Sequence, residues 1–193
     1  HKEWIKETRD LGLIPEPEMV LREKKAGSRY DILAKTEDNT LPERLGRMAS
    51  LASEGEQALP ELLKGLKDKD AAVRFWAATG IGNVGKPLKE VTTACLGILE
   101  KEGSTIVRIA VARALLRMQT EEKKAITELS KSLKSAEQWS RLHAAIVLDE
   151  ANEKARPALP ALKNALKNQP NKYIVRVANK AVNDLLGTAN TVK

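Results

Sequence analysis

Residues 58–85 read ALPELLKGLKDKDAAVRFWAATGIGNVG, and the opening of this string returns further along. Ala58-Leu59-Pro60-Glu61-Leu62-Leu63-Lys64-Gly65-Leu66 recurs at an offset of 100 as Ala158-Leu159-Pro160-Ala161-Leu162-Lys163-Asn164-Ala165-Leu166, with five identities. Two further copies lie between them. Leu66, Leu99, Leu133 and Leu166 are 33, 34 and 33 residues apart, and Ala58, Val91, Ala125 and Ala158 keep the same intervals. A second string follows inside each unit: Val73-Arg74, Val107-Arg108, Ser140-Arg141 and Val175-Arg176, at spacings of 34, 33 and 35. A fixed period of this size marks a repeat architecture.

Each unit predicts two helices. Leu59, Leu62, Leu63 and Leu66 fall at i, i+3, i+4 and i+7, the apolar stripe of an amphipathic helix. Pro60 then belongs in its first turn, where a missing N–H costs nothing. Each second-string arginine precedes an alanine-rich face of helical period. Asp70 and Ser104, three residues ahead of Val73 and Val107, carry side chains suited to accept hydrogen bonds from the free amides of a helix start.

Composition agrees. Ala and Leu supply 25 residues each of 193, against six aromatics, which disfavours an all-β fold. Thirty-three Lys and Arg against 26 Asp and Glu give a net charge of +7 with both signs mixed, as on a hydrated surface. The longest apolar runs are about five residues, such as Ala144–Leu148, far below the roughly 20 of a membrane helix. The single cysteine, Cys95, excludes an internal disulfide framework.

Periods of 33 and 34 also belong to ankyrin and tetratricopeptide arrays, but Thr-Pro-Leu-His and the Trp, Leu-Gly, Tyr pattern are both missing. The 58–85 string instead resembles a HEAT-like repeat: a Pro-bearing first helix, an acidic turn, Val-Arg, small residues, then Gly near the second helix's end. The resemblance runs over residues 56–187. It implies an all-α superhelix, a HEAT-like solenoid, over residues 41–193, with residues 1–40 as an irregular arm. In the arm, Gly12, Pro15, Pro17 and Gly27 leave room for one short helix at 17–25. Residues 41–54 predict a helix that caps the array, and Asn179 and Lys180, in the places of Ala77 and Ala78, predict a polar far end.

Few residues offer chemistry. Gly80-Ile81-Gly82-Asn83-Val84-Gly85 matches G-x-G-x-x-G, yet the glycines end a helix instead of following a strand, so close packing is the stronger reading. Cys95 shares a register with Leu62, Leu129 and Leu162, which predicts a buried, inert thiol. His143 aligns with Trp76 and has no second ligand at metal spacing. Arg74, Arg108, Arg141 and Arg176 fit either a phosphate ladder or a structural one; bonding of helix-end carbonyls or turn carboxylates is favoured, because phosphates want a convergent basic groove. Trp76 and Trp139 fall in second helices, the layer lining the concave side of such solenoids, where core packing is favoured over a binding hot spot. With Arg113 and Arg117 they form the candidate interaction surface.

The arm carries a second resemblance. Trp4-Ile5-Lys6-Glu7-Thr8-Arg9-Asp10-Leu11-Gly12-Leu13-Ile14-Pro15-Glu16-Pro17-Glu18-Met19, continued by Ser28-Arg29-Tyr30-Asp31-Ile32-Leu33 and Leu41-Pro42-Glu43-Arg44, is similar to a segment that follows the catalytic domain in a subset of bacterial sulfatases ending in HEAT-like repeats. That family's chemistry is hydrolysis of sulfate esters or sulfamates, using calcium and a formylglycine made from Cys or Ser in a C-x-P-S-R-like motif. Cys95 is followed by Leu96-Gly97-Ile98, so no catalytic, cofactor or metal residue carries over. The resemblance implies a non-catalytic scaffold joined to a catalytic domain that would precede His1, in a periplasmic or secreted enzyme. Its expected partners are that domain, a protein, or an anionic glycan. A nucleic-acid-binding solenoid and a free-standing adaptor are the alternatives, the first disfavoured because Lys64, Lys67, Lys131, Lys134, Lys163 and Lys167 fall on first helices and turns instead of one groove.

Overall fold

The computed structural model describes residues 40–167 and 170–192, together with Lys24. The expected short helix at 17–25, apart from Lys24, and the string at 4–19 lie outside the described residues. The described residues hold nine α-helices and no strand. They are α1 (Leu41–Leu51), α2 (Leu59–Gly65), α3 (Ala71–Val84), α4 (Lys89–Lys101), α5 (Thr105–Arg117), α6 (Glu122–Ser132), α7 (Gln138–Glu150), α8 (Leu159–Asn164) and α9 (Lys172–Leu186). Short 3₁₀ turns at Glu56–Ala58 and Asn152–Ala158 lead into α2 and α8, whose first turns hold Pro60 and Pro160.

The helices form two layers. Second helices α3, α5, α7 and α9 stack on one another in chain order, and each packs on its own first helix, α2, α4, α6 or α8. Helix α1 lies against α3 and so stands where a preceding second helix would, closing the near end of the stack. It ends at Leu51, about a turn short of the expected end at residue 54, with Ala52 as its C-cap.

The seam between the layers is the core. Leu62, Cys95, Leu129 and Leu162 occupy one register place, and none retains any exposed surface. Burying a leucine stabilises by about 1.5–3 kcal/mol, so this row alone ties four hairpins to the second layer. Second helices approach closely where side chains are small: a Cβ on Gly82 of α3 would stand 3.1 Å from the Ala114 Cα of α5. The Gly80–Gly85 string is therefore packing surface, with Gly85 (φ 68°) ending α3 in the left-handed region that glycine reaches without strain.

The helix starts set the register. The N-caps of α3, α5, α7 and α9 are Asp70, Ser104, Glu137 and Asn171, at spacings of 34, 33 and 34. Asp70 accepts from Ala72 N at 2.8 Å and Asn171 from Tyr173 N at 2.9 Å. Ser104 corrects the expectation for its hydroxyl: it is an N-cap by position, but its Oγ is turned inward and has no partner. The turn is braced instead by the longer Glu102 side chain, whose Oε1 accepts from Ser104 N at 2.8 Å.

The cap spacing also corrects the far end. Counting from Asn171, Val175 stands in the place of Arg74, Arg108 and Arg141, and Arg176 falls one position later, where it is exposed and has no hydrogen-bond partner among the described residues. The Val-Arg match at a spacing of 35 follows the letters, whereas the fold follows the cap. By the same shift Asn179 takes the place of Ala78, and Lys180 that of Thr79. The end is polar all the same: the amides of Asn179 and Asn183 donate to Asn190 O at 2.7 and 2.8 Å, laying the final segment against α9.

Candidate functional site

The second helices form a face with a groove of ≈190 Å³ across α3, α5 and α7. Its floor is set by sequence: Ala78 and Gly82 of α3 and Ala110 and Ala114 of α5 are small, so the helices sink together and Phe75, Ile109 and Val147 line the trough. The charged or titratable groups in its lining are Arg113, Arg117 and His143. Asp and Glu are missing from that lining.

Most polar side chains of this face sit on two register rows, at nine and thirteen residues beyond each cap. The first row is Thr79, Arg113, Ile146 and Lys180, and the second is Asn83, Arg117, Glu150 and Asp184. Contacts made by these rows clip successive helices of the layer. Asn83 Nδ2 donates to Ala52 O at 2.8 Å, and Arg117 Nη1 donates to Asn83 Oδ1 at 2.6 Å. Arg113 forks onto both carboxylate oxygens of Glu150, with Nε to Oε2 at 2.7 Å. Lys180 lies between Asp149 and Asp184 at 2.9 and 2.8 Å. Burial and the Arg113 charge hold the His143 pKa below its ordinary value, so it is neutral at neutral pH.

The two tryptophans are not brought together. Trp76, six residues past its cap, is 37% exposed and outside the groove lining, its ring edge-on to the lining residue Phe75 with centroids 5.8 Å apart. This corrects the preference for core packing at Trp76: its neighbours Ala77 and Ala78 take the fully buried places, and the indole is left exposed. Trp139 stands only two residues past its cap, half-buried and outside the groove lining, with Nε1 shut from solvent and without an acceptor. Both are Trp in a second helix; only position relative to the cap separates them, and the letters alone do not show that.

The register arginines lie at the turn end of the stack. Arg74 Nη1 donates to Asp68 O and Lys69 O at 2.8 and 3.0 Å, and Nε to Glu102 Oε2 at 2.5 Å. Arg108 donates to Glu102 O at 2.6 Å and to Glu128 Oε1 at 2.7 Å. Arg141 donates to Ser135 O and Ala136 O at 2.7 and 2.8 Å. Each thus ties down its own turn, and the first two also reach a carboxylate of the next hairpin. Missed by sequence reasoning was Arg44 of α1, which pairs with Asp68 at 2.9 Å and does the same work. The signal was available: it stands four residues past Thr40, as Arg74 stands four past Asp70.

Cys95 is buried, which pushes its thiol pKa up to about 12. Among the described residues no group of three His, Cys, Asp or Glu is placed to hold a metal ion, and no helix is long and apolar enough to cross a membrane. Lys64, Lys67, Lys131, Lys134, Lys163 and Lys167 are all exposed on first helices or the turns after them.

Comparison with known families agrees with this architecture. Residues 58–88, covering α2, α3 and the turn beyond them, match the HEAT repeat. The described part of the chain is an all-α, HEAT-like repeat solenoid, a class built for scaffolding and interaction. No curated protein matches the chain.

Proposed function

We propose that the chain is a non-catalytic scaffold whose working surface is the grooved face of the second helices, and that it takes a protein partner there. The observation that carries this reading is Trp76, a large aromatic left exposed instead of in the core, edge-on to Phe75 of the apolar trough. Partly exposed aromatics beside apolar pockets are where interface energy concentrates. Support for the non-catalytic part comes from the inward positions, which are filled by Ala, Val and Leu, and from a thiol shut away from solvent. Cross-linking in cells tests the interaction role. Partner cross-links are expected to vanish with Phe75→Ala plus Trp76→Ala and to persist with Lys64→Ala plus Lys131→Ala; the reverse pattern overturns the assignment of the face.

The arm supports a finer reading, in which the scaffold belongs to a sulfatase acting on sulfate esters or sulfamates, with its own catalytic domain as a partner. Thr8-Arg9-Asp10-Leu11-Gly12-Leu13-Ile14-Pro15-Glu16 is the string that supports it. On that reading calcium and formylglycine belong to the catalytic domain, and the compartment is periplasmic or extracellular. The reading frame preceding His1 is the test. A C-x-P-S-R-like motif there supports the sulfatase parent, and a frame without one overturns it.

A further inference from the structure

Resting on the interaction role just proposed, we infer that the groove takes an extended segment of a partner protein in which one carboxylate stands three residues from one aromatic or large aliphatic side chain. The seat for the carboxylate is Arg117. Of the two guanidinium groups lining the groove, Arg113 is already answered by both oxygens of Glu150. Arg117 is exposed, and its hydrogen bond goes to the neutral amide oxygen of Asn83. The C-terminal dipole of α5 offsets part of its charge, equivalent to about half a unit, and leaves the rest for a partner. A guanidinium pre-oriented by one hydrogen bond loses little freedom on taking a second acceptor, and its fork suits a carboxylate.

The apolar seat is Phe75, which lines the groove, extended by the exposed Trp76 ring edge-on beside it. Asn83, which fixes the Arg117 head group, lies seven residues along α3 from Trp76, about 10 Å at 1.5 Å per residue. A polyproline-II-like chain rises about 3.1 Å per residue and repeats its facing every third residue, so side chains at i and i+3 share a face about 9 Å apart. That match fixes the spacing of the two anchors.

The same face argues against a polyanion. Past α5 the face turns acidic, with the half-buried Asp149 and the exposed Glu150 and Asp184 crowded around Arg113 and Lys180. A nucleic acid or sulfated glycan running along the stack would meet those carboxylates after one favourable contact, while a short segment lying along α3 would not. His143, neutral at neutral pH, adds no further positive charge.

The test is selection of ten-residue peptides from a random displayed library on the 193-residue chain, followed by fluorescence anisotropy with one synthetic winner. Expected winners carry Asp or Glu three residues from Trp, Phe, Leu or Ile. Trp76→Ala and Arg117→Gln, the latter keeping a donor for Asn83, should each weaken binding about tenfold or more, while Lys131→Glu on the opposite layer leaves it unchanged. Circular dichroism of each variant separates lost binding from lost fold, and Arg117→Lys, which keeps the charge, should restore part of the affinity. Neutral or basic winners that still need Trp76 overturn this inference and leave the interaction role standing. Winners indifferent to every residue of the face overturn both. Displacement of the peptide by a duplex oligonucleotide or a sulfated oligosaccharide, with a steep salt dependence, also overturns it in favour of a polyanion.

Discussion

Asp68 and Glu102 do the same two jobs in successive turns. Each carboxylate accepts the amide two residues on, Asp70 N or Ser104 N, both at 2.8 Å, and each receives the guanidinium of the preceding second-layer helix, Arg44 at 2.9 Å or Arg74 at 2.5 Å. At the third turn the place belongs to Ser135, which accepts Glu137 N at 3.2 Å but brings no charge, and Arg108 turns to Glu128 instead. In the first half of the stack the turns are thus pinned to one another by ion pairs.

Glu102 is the tightest link, with 5% of its side chain exposed and 18% of that of Arg74. Burial alone would raise its pKa, but hydrogen bonds from Arg74 and Ser104 N, with the charges of Arg74 and Arg108, hold it below the ordinary 4.5. A carboxyl whose folded pKa is depressed contributes stability that is complete above its unfolded value and is lost as pH falls through the folded one. Glu102→Gln is expected to cost on the order of 2–3 kcal/mol at pH 7, because it strands a mostly buried guanidinium. The wild-type advantage should shrink below about pH 4.5. Urea melts of both proteins at pH 7 and pH 3.5 check this, and an equal gap at the two pH values would refute the sign.

Cys95 offers a probe of α4, the first helix with the least cover. Of its residues only Val91 and Cys95 are buried, while Leu96, Ile98 and Leu99 are half-exposed and it packs chiefly on α5. A thiol near pKa 12 in a closed site does not label, since the thiolate is the nucleophile and reagent cannot reach it. Labelling should therefore be slow in native protein and should report opening of α4. Its rate is expected to rise at urea concentrations below the global unfolding midpoint, and immediate labelling in buffer would contradict the burial.

Much of this fold was legible because it is periodic. The buried row through Leu62, Cys95, Leu129 and Leu162 and the two-helix unit both follow from spacing alone. What escaped depends on where a chain is capped. Arg176 looked like a fourth register arginine because Val precedes it, yet Asn171 starts α9 one residue out of step with that match. The candidate surface was legible in part. Arg113 and Arg117 do share the groove, but the pairing of Arg113 with Glu150 and the absence of both tryptophans from the lining, with Trp76 touching it only through Phe75, needed the angular position of each residue about its helix.

The close approach of α3 and α5 is testable at Gly82. A methyl there would lie 3.1 Å from Ala114 Cα and 3.3 Å from its Cβ, against backbone that cannot swing away as a flexible side chain can. Gly82→Ala gains up to about 1 kcal/mol of helix propensity and loses roughly 1–3 kcal/mol to overpacking. A net loss is expected, seen as a lower melting temperature, whereas Gly97→Ala, with open space at its Cβ, should show only the gain. If both substitutions stabilise equally, α3 and α5 are not in contact at this point.

Second helices also leave their hairpins in a common way. Gly85, Gln119 and Asn152 follow α3, α5 and α7 at spacings of 34 and 33, and all three have positive φ, of 68°, 55° and 49°. Glycine reaches this region freely and asparagine tolerates it, but glutamine is strained there by roughly 1 kcal/mol. Gln119 is exposed, so its side chain gives little in return. Gln119→Gly is therefore expected to stabilise by a few tenths to about 1 kcal/mol, after allowing for the larger entropy of an unfolded glycine. Gly85→Ala should destabilise by about 1 kcal/mol or more, and at this chain length each kcal/mol moves the melting temperature by about 2–4 °C. Opposite signs at two register-equivalent positions would show that the left-handed exit belongs to the repeat itself. A melting temperature lowered by Gln119→Gly would show that α5 ends differently from α3.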